Sequence, residues 1–249
     1  MTSDDTVMVI GGSSGMGLAV ARRCLTAGAR VVIAGRSAAR LTAASEQLAR
    51  LLPASQDGSD DRLAAIAADI GDRAQLSRLF EETAKLSHLV ITAADLPYGP
   101  VGTLTEDDMM RAVKSKVTGP LQAAQLAAQR ICGPGSITFT SGVAAYRPAP
   151  GGALGAIVNG AIESMVRALA LELAPVRVNA VSPGWVDTPI WEQIAAPDAR
   201  RARLADMAAR LPGRRLGQAG DIANAICFLI NDSFVTGTVL HAEGAQLLV

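Results

Sequence analysis

The sequence offers little with which to hold a metal ion, a phosphate backbone or a bilayer. Its 249 residues carry 23 Lys+Arg against 23 Asp+Glu, a formal net charge of zero, with no basic run to break the balance. That excludes a dedicated nucleic-acid protein, which needs a cationic excess facing the phosphates. The histidines, His88 and His241, are only two, and each abuts an apolar strand-like run (HLVIT and TGTVLH). With no CxxC and no His/Cys cluster, metal catalysis has no donor set. Cys24, Cys132 and Cys227 are far apart, each in an apolar stretch of helical pattern, and read as buried free thiols. No apolar stretch approaches the roughly 18 uncharged residues of a membrane span. The opening MTSDDTVMVI is acidic before it is apolar, unlike a secretion signal. The expectation is a cytoplasmic protein with neither a membrane nor a nucleic-acid partner. An apolar fraction of 49% excludes disorder and supplies a large core.

Apolar runs of strand length alternate with stretches of helical period, the pattern of repeated βα units and a parallel sheet. Strands are expected at 6–10, 31–35, 63–67, 88–92, 136–141, 177–182 and 237–242, and their continuous apolarity fits strands covered on both faces. Helices are expected at 15–27, 38–52, 72–86, 105–131, 153–174 and 220–231. Seven strands and six helices make residues 1–249 one doubly wound α/β domain with helices on both faces of the sheet. The polar stretch PASQDGSDDR (53–62) reads as a solvated loop. Residues 185–217 insert helical material where an open α/β sheet carries its ligand-covering lid, and the arginines there read as a solvated face.

Gly11-Gly12-Ser13-Ser14-Gly15-Met16-Gly17 follows the first strand and opens the first helix. Glycines there let the backbone turn sharply and approach a pyrophosphate, which sits on the positive helix N-terminus. The position between strand and helix gives the motif its force. A carboxylate at the end of the second strand would hydrogen-bond an adenosine ribose and repel a 2′-phosphate, but the chain reads Ala34-Gly35-Arg36. The guanidinium favours NADP(H) over NAD(H), with an ordinary surface arginine as the alternative. Asp69, after the third strand, is placed either to meet the adenine or to cap the following helix.

With these pieces the chain resembles the short-chain dehydrogenase/reductase family over its whole length. The matching segments are GGSSGMG (11–17), AADI (67–70), RALALELAPVRVNAVSPG (167–184), VDTP (186–189) and VTGTVLHAEGA (235–245). The resemblance implies a Rossmann-type fold, a nicotinamide dinucleotide, a small-molecule substrate and a homo-oligomer, dimer or tetramer, packed through the long fourth and fifth helices. It assigns Val186 and Thr188 to the nicotinamide carboxamide. Candidate cofactor residues are then Gly11, Ser13, Ser14, Gly15, Met16, Gly17, Arg36, Asp69, Ile70, Ala93, Pro183, Gly184, Val186 and Thr188.

The family's chemistry uses a serine to hold the substrate oxygen, a tyrosine to donate its proton, a lysine four residues on and an asparagine that holds a relay water. Anchored on RALALELAP, the lysine position falls on Asn159, the tyrosine on Gly155, the serine on Gly142 and the asparagine on Lys116. The strand-four motif, normally Asn-Asn-Ala-Gly, reads Ile91-Thr92-Ala93-Ala94. The only tyrosines are Tyr98 and Tyr146 and the only lysines Lys85, Lys114 and Lys116, so no tyrosine/lysine pair at i, i+4 exists. The usual relay is absent. Lys116 is either a substitute general acid or an anchor for a water or carbonyl. Asn159 could hydrogen-bond the ribose. Ser141 could supply a hydroxyl, although strand alternation aims it away from the cleft. Tyr98 and Tyr146 read as packing aromatics before acids, and Gly155 leaves space before the nicotinamide. Three functions follow: an NADP(H)-dependent oxidoreductase with a non-standard proton source or a reaction needing little acid help, an inactive relative acting as an NADP(H)-binding subunit or sensor, or, weakest, a scaffold with no ligand, which has no need of Gly11, Gly15, Gly17 and Arg36 together.

Overall fold

The computed structural model describes residues 1–52, 61–83, 85–189, 191 and 197–249, so most of the 53–62 loop lies outside the described residues. Seven parallel strands form one sheet in the order β3-β2-β1-β4-β5-β6-β9. They are β1 (Thr6–Ile10), β2 (Arg30–Gly35), β3 (Leu63–Ala67), β4 (Leu86–Ile91), β5 (Ile131–Thr140), β6 (Arg177–Pro183) and β9 (Val239–Ala242). The order reverses between β1 and β4, which opens a crevice at their carboxyl ends. α1 (Gly15–Thr26), α2 (Ala38–Ala49) and α8 (Ala219–Asn231) cover one face, packing Val20, Leu41 and Ile226 on Val9, Ile33 and Val181. α3 (Arg73–Glu81), α5 (Gly119–Ala128) and α6 (Ala153–Glu172) cover the other, with Phe80, Ala124 and Ile162 against Ile91, Ile137 and Phe139. The architecture is therefore the Rossmann-type, doubly wound sheet.

Alternation along each strand sends successive side chains to opposite layers, which explains the unbroken apolarity of β1, buried at all 5 of its positions. Coverage on both faces fails at one edge, where Ala64, Ala65 and Ala67 of β3 are exposed. α6 is long and apolar enough to cross a bilayer by composition, yet Leu154, Val158, Ile162, Val166 and Leu169 are buried inside the fold.

The expected helix 105–131 is in fact broken. α4 (Glu106–Val113) passes into a π turn, Lys114–Thr118, before α5 resumes at Gly119. Pro120 has no N–H to offer the carbonyl four residues back, and the Gly119 N–H reaches back five residues to Lys114 instead. A Cβ at Gly119 would also collide with the Ile70 carbonyl, so the break packs tightly against the loop that follows β3. Two further elements belong to the 185–217 insertion. β7 (Val186–Asp187) pairs in parallel with β8 (Gly217–Gln218), and α7 (Pro197–Arg210) lies between them in sequence. The cysteine reading needs two corrections. Cys132 lies on β5, not on a helix, and Cys24 of α1 meets Cys227 of α8 through a thiol hydrogen bond that pushes the Cys24 thiol up and holds the Cys227 thiol down. Cys227 is only half-buried.

Candidate dinucleotide site

The chain leaves β1 at Ile10 and turns within four residues into α1. Gly11 and Gly12 both donate their N–H to the Ala34 carbonyl of β2, at 2.8 and 3.2 Å. Gly11 has φ +94°, and a Cβ there would lie 2.6 Å from the Ala93 nitrogen and from Thr92 Oγ1. At Gly17 a Cβ would run into the Gly11 carbonyl, so only glycine lets the helix start this close to the strand. Thr92, standing in the strand-four motif, keeps its Oγ1 3.3 Å from the Gly11 carbonyl and braces the turn. Ser14 occupies the N-cap in an extended conformation but caps no N–H with its side chain, and the first turn of α1 carries no acid. That is an anion site in waiting: backbone donors and the positive end of the helix dipole, with no carboxylate in competition.

This turn forms one wall of a cavity. Gly11, Ser13, Ser14, Gly15, Met16 and Gly17 line it, joined by Gly35, Arg36 and Arg40 beyond β2, Ala68, Asp69 and Ile70 beyond β3, Thr92 to Leu96 beyond β4, Ser115 of the π turn, and Thr188 and Pro189. Asp69 is not the helix cap. Asp72 caps α3, accepting from the N–H of Ala74 (2.9 Å) and Gln75 (3.1 Å), while Asp69 Oδ1 takes the Gly71 N–H at 2.8 Å. Arg36 pairs with Asp95 at 2.7 Å. Of the candidate cofactor residues, Pro183, Gly184 and Val186 stand outside the cavity lining. Pro183 ends β6, Gly184 lies so near Glu243 that a Cβ would meet its backbone at 2.7 Å, and Val186 is buried in the β7–β8 pair. They set the path of the chain that delivers Thr188. The glycine turn, the uncapped helix start and the two arginines at the rim fit the phosphates of a dinucleotide.

The residues considered for proton transfer gather at the end of β5, away from that lining. Lys116 sits in the π turn with its Nζ donating to the Thr140 carbonyl, and burial pushes its ammonium down to about 8. Asn159 of α6 brings its Nδ2 to 2.7 Å from where a Cβ on Gly142 would stand, while its Oδ1 is buried with no hydrogen-bond partner among the described residues. Gly155, one turn earlier on α6, has open space around its missing Cβ among the described residues. Ser141 turns onto α6, donating to Glu163 Oε1 at 2.8 Å. Tyr146 donates to the other Glu163 oxygen and packs edge-on against His241, and the Glu163 bond pushes its phenol up to about 12. Tyr98 is half exposed.

In the 185–217 insertion, Trp185 and Trp191 pack with Met207, Leu211 and Leu216. Two of its arginines are not merely solvated, since Arg203 stacks over Trp191 at 5.7 Å and Arg210 over Trp185 at 5.1 Å. Residues 190 and 192–196 of the expected lid lie outside the described residues. Sequence reasoning passed over Arg40, in the first turn of α2, and Asp95, which follows the strand-four motif directly. The Ser141–Glu163–Tyr146 cluster had no sequence signal at all.

Such a glycine turn at the switch point of a doubly wound sheet defines a dinucleotide-binding α/β protein. Residues 11–244 match the family described as enoyl-(acyl carrier protein) reductase. The chain is 32% identical over 255 residues to the short-chain dehydrogenase/reductase malC of Malbranchea aurantiaca, covering 97% of this chain and 94% of that protein. Among solved structures it resembles the MalC reductase/Diels-Alderase of the same organism, with a TM-score of 0.89, 31% identity and coverage of 100% and 97%. A small-chain dehydrogenase in complex with NADPH gives a TM-score of 0.82 at 30% identity, covering 99% of this chain and 100% of that one. The chain belongs to the short-chain dehydrogenase/reductase family of oxidoreductases.

Proposed function

We propose that the protein is an NADP(H)-dependent oxidoreductase that works without the family's usual proton relay. The observation that carries this reading is the cavity itself: an uncapped, acid-free helix start facing a rim with Arg36 and Arg40 and no carboxylate at the end of β2. The related dehydrogenase crystallised with NADPH supports the same cofactor. When bound, the nicotinamide supplies or accepts a hydride. The chain's own part is to hold the phosphates on the Gly11–Gly17 turn, to meet the 2′-phosphate with Arg36, and to place Asp69 and Ile70 at the adenine end. At the reacting end, Asn159 offers a buried carboxamide with a free oxygen, and the space at Gly155 admits a bulkier ligand than a tyrosine would.

Lys116 is the candidate proton source, because its ammonium is held at about 8, within reach of neutral pH. If Lys116 only anchors Thr140, the proton comes from water or another hydroxyl, or the substrate takes up none as hydride arrives, as with a cationic acceptor whose reduced form is already neutral. Steady-state oxidation of NADPH with carbonyl and cationic acceptors, by wild type and by Lys116→Met, tests the assignment. Loss of turnover in the variant supports the ammonium as donor, and unchanged turnover removes it.

A second reading, an inactive NADP(H)-binding subunit or sensor, is favoured by one observation: Gly142 and Gly155 offer no side chain at the positions where the family resemblance puts serine and tyrosine. In either case we place the protein in the cytoplasm as a dimer or tetramer, with exposed Met109, Leu121 and Ile157 on α4, α5 and α6 available for the subunit interface.

A further inference from the structure

Arg36 and Asp95 approach from opposite walls of the cavity. Arg36 follows β2 and Asp95 follows β4, the two strands that flank β1, so their 2.7 Å ion pair crosses above the Gly11–Gly12 turn. The two partners are not equally free. The Asp95 N–H donates to Ser115 Oγ at 3.0 Å, and that hydroxyl lies 3.2 Å from the Asp95 carbonyl. Ser115 is itself buried in the π turn, so the aspartate backbone is pinned from both sides. The guanidinium side chain is 51% exposed against 26% for the carboxylate, which leaves the arginine as the partner able to swing.

We propose that Asp95 is a specificity-determining residue of the dinucleotide site. Its carboxylate competes with an adenosine 2′-phosphate for Arg36, so a 2′-phosphorylated cofactor binds by drawing the guanidinium away from Asp95. This rests on the NADP(H) reading above and deepens it. The carboxylate acts only against a group that needs Arg36. A 2′-hydroxyl carries no charge to trade for the ion pair, whereas a 2′-phosphate, at close to two negative charges, must win the guanidinium from a fixed anion. A ligand shifts such an equilibrium only by its differential affinity for the two arrangements, so the price of opening the pair appears in the affinity for NADPH and not in that for NADH.

The test is a double-mutant cycle read by calorimetric titration of NADPH and of NADH into wild type, Asp95→Asn, Arg36→Ala and the double variant, with thermal melts confirming that each is folded. Asp95→Asn is expected to tighten NADPH by about two- to fivefold, the upper range of a partly exposed ion pair, while NADH affinity stays the same. In the Arg36→Ala background the gain should shrink, because the contested guanidinium is gone. An equal gain in both backgrounds would overturn the role of Arg36, and no gain in either would overturn the competition. Weakened NADH binding in Asp95→Asn would show the carboxylate holding a ribose hydroxyl, the opposite specificity. If neither wild type nor Asp95→Asn binds either nucleotide, the NADP(H) reading falls together with this one. If wild type binds NADPH and Asp95→Asn binds it no better, only this one falls.

Discussion

Replacing Lys116 by methionine isolates one buried charge. The side chain is 5% exposed, its Nζ is held on the Thr140 carbonyl, and burial lowers the ammonium from 10.5 to about 8. Between those two values the unfolded chain binds more protons at this position than the folded one, so wild-type stability rises with pH across that window. Below about 8 both states are protonated and the contribution is flat. Each pH unit of separation is worth about 1.4 kcal/mol, so the gap from 10.5 to about 8 amounts to about 3 kcal/mol, of which somewhat more than 2 is recovered by about pH 10. Methionine has a similar shape and no charge, so Lys116→Met lacks this rise. Urea unfolding followed by tryptophan fluorescence at about pH 7 and about pH 10 gives the stability difference between the two proteins. Other lysines and both tyrosines titrate in each protein and cancel. The difference should move in favour of wild type by about 2–3 kcal/mol from the lower to the higher pH. A difference that stays constant would mean that the ammonium is not desolvated, and the proton-donor assignment would lose its physical basis.

Gly11 and Gly28 share φ +94°, but a Cβ at Gly28 meets nothing within 4 Å among the described residues while one at Gly11 meets the backbone of Ala93 at 2.6 Å. Alanine at Gly28 should therefore cost about 1–2 kcal/mol of backbone strain alone, and alanine at Gly11 measurably more, with NADPH binding lost only in the second. Chemical denaturation and a nucleotide titration on the pair would check both parts, and equal losses at the two positions would contradict the close approach. His88, whose Nδ1 lies 2.9 Å from Ser136 Oγ, is pushed down to about 4 by burial. It stays neutral in the fold while an unfolded histidine takes up a proton, so stability should fall as pH drops from about 6.5 to about 4, by up to about 3 kcal/mol. An acid denaturation profile unchanged in His88→Gln would contradict that.

The strands were legible because a central parallel strand buries both faces, and β1 and β3 coincide with the runs 6–10 and 63–67. The exposure of β3 was not legible, since an alanine-rich edge strand has the same apolar pattern as a covered one. Pro120 was visible in the sequence, but its consequence, a π turn that seats Lys116 under Thr140, depends on the close approach of Gly119 to Ile70. The phosphate end of the site could be read because glycine is required wherever backbone meets backbone, as Gly11 meets Ala93. The Arg36–Asp95 pair could not, because two side chains 59 residues apart leave no spacing to recognise. Nor could the meeting of Cys24 and Cys227, which follows from how α1 and α8 share one face of the sheet.

The central claim is that this cavity takes NADP(H) through Arg36, and equilibrium titration with NADPH and with NADH tests it most directly. Trp185 and Trp191 bracket Thr188, a residue of the cavity wall, and their fluorescence provides the signal. The account predicts tighter binding of NADPH than of NADH in wild type, and loss of that preference in Arg36→Ala. NADH binding as tight as NADPH, or a preference that survives the loss of Arg36, would contradict it.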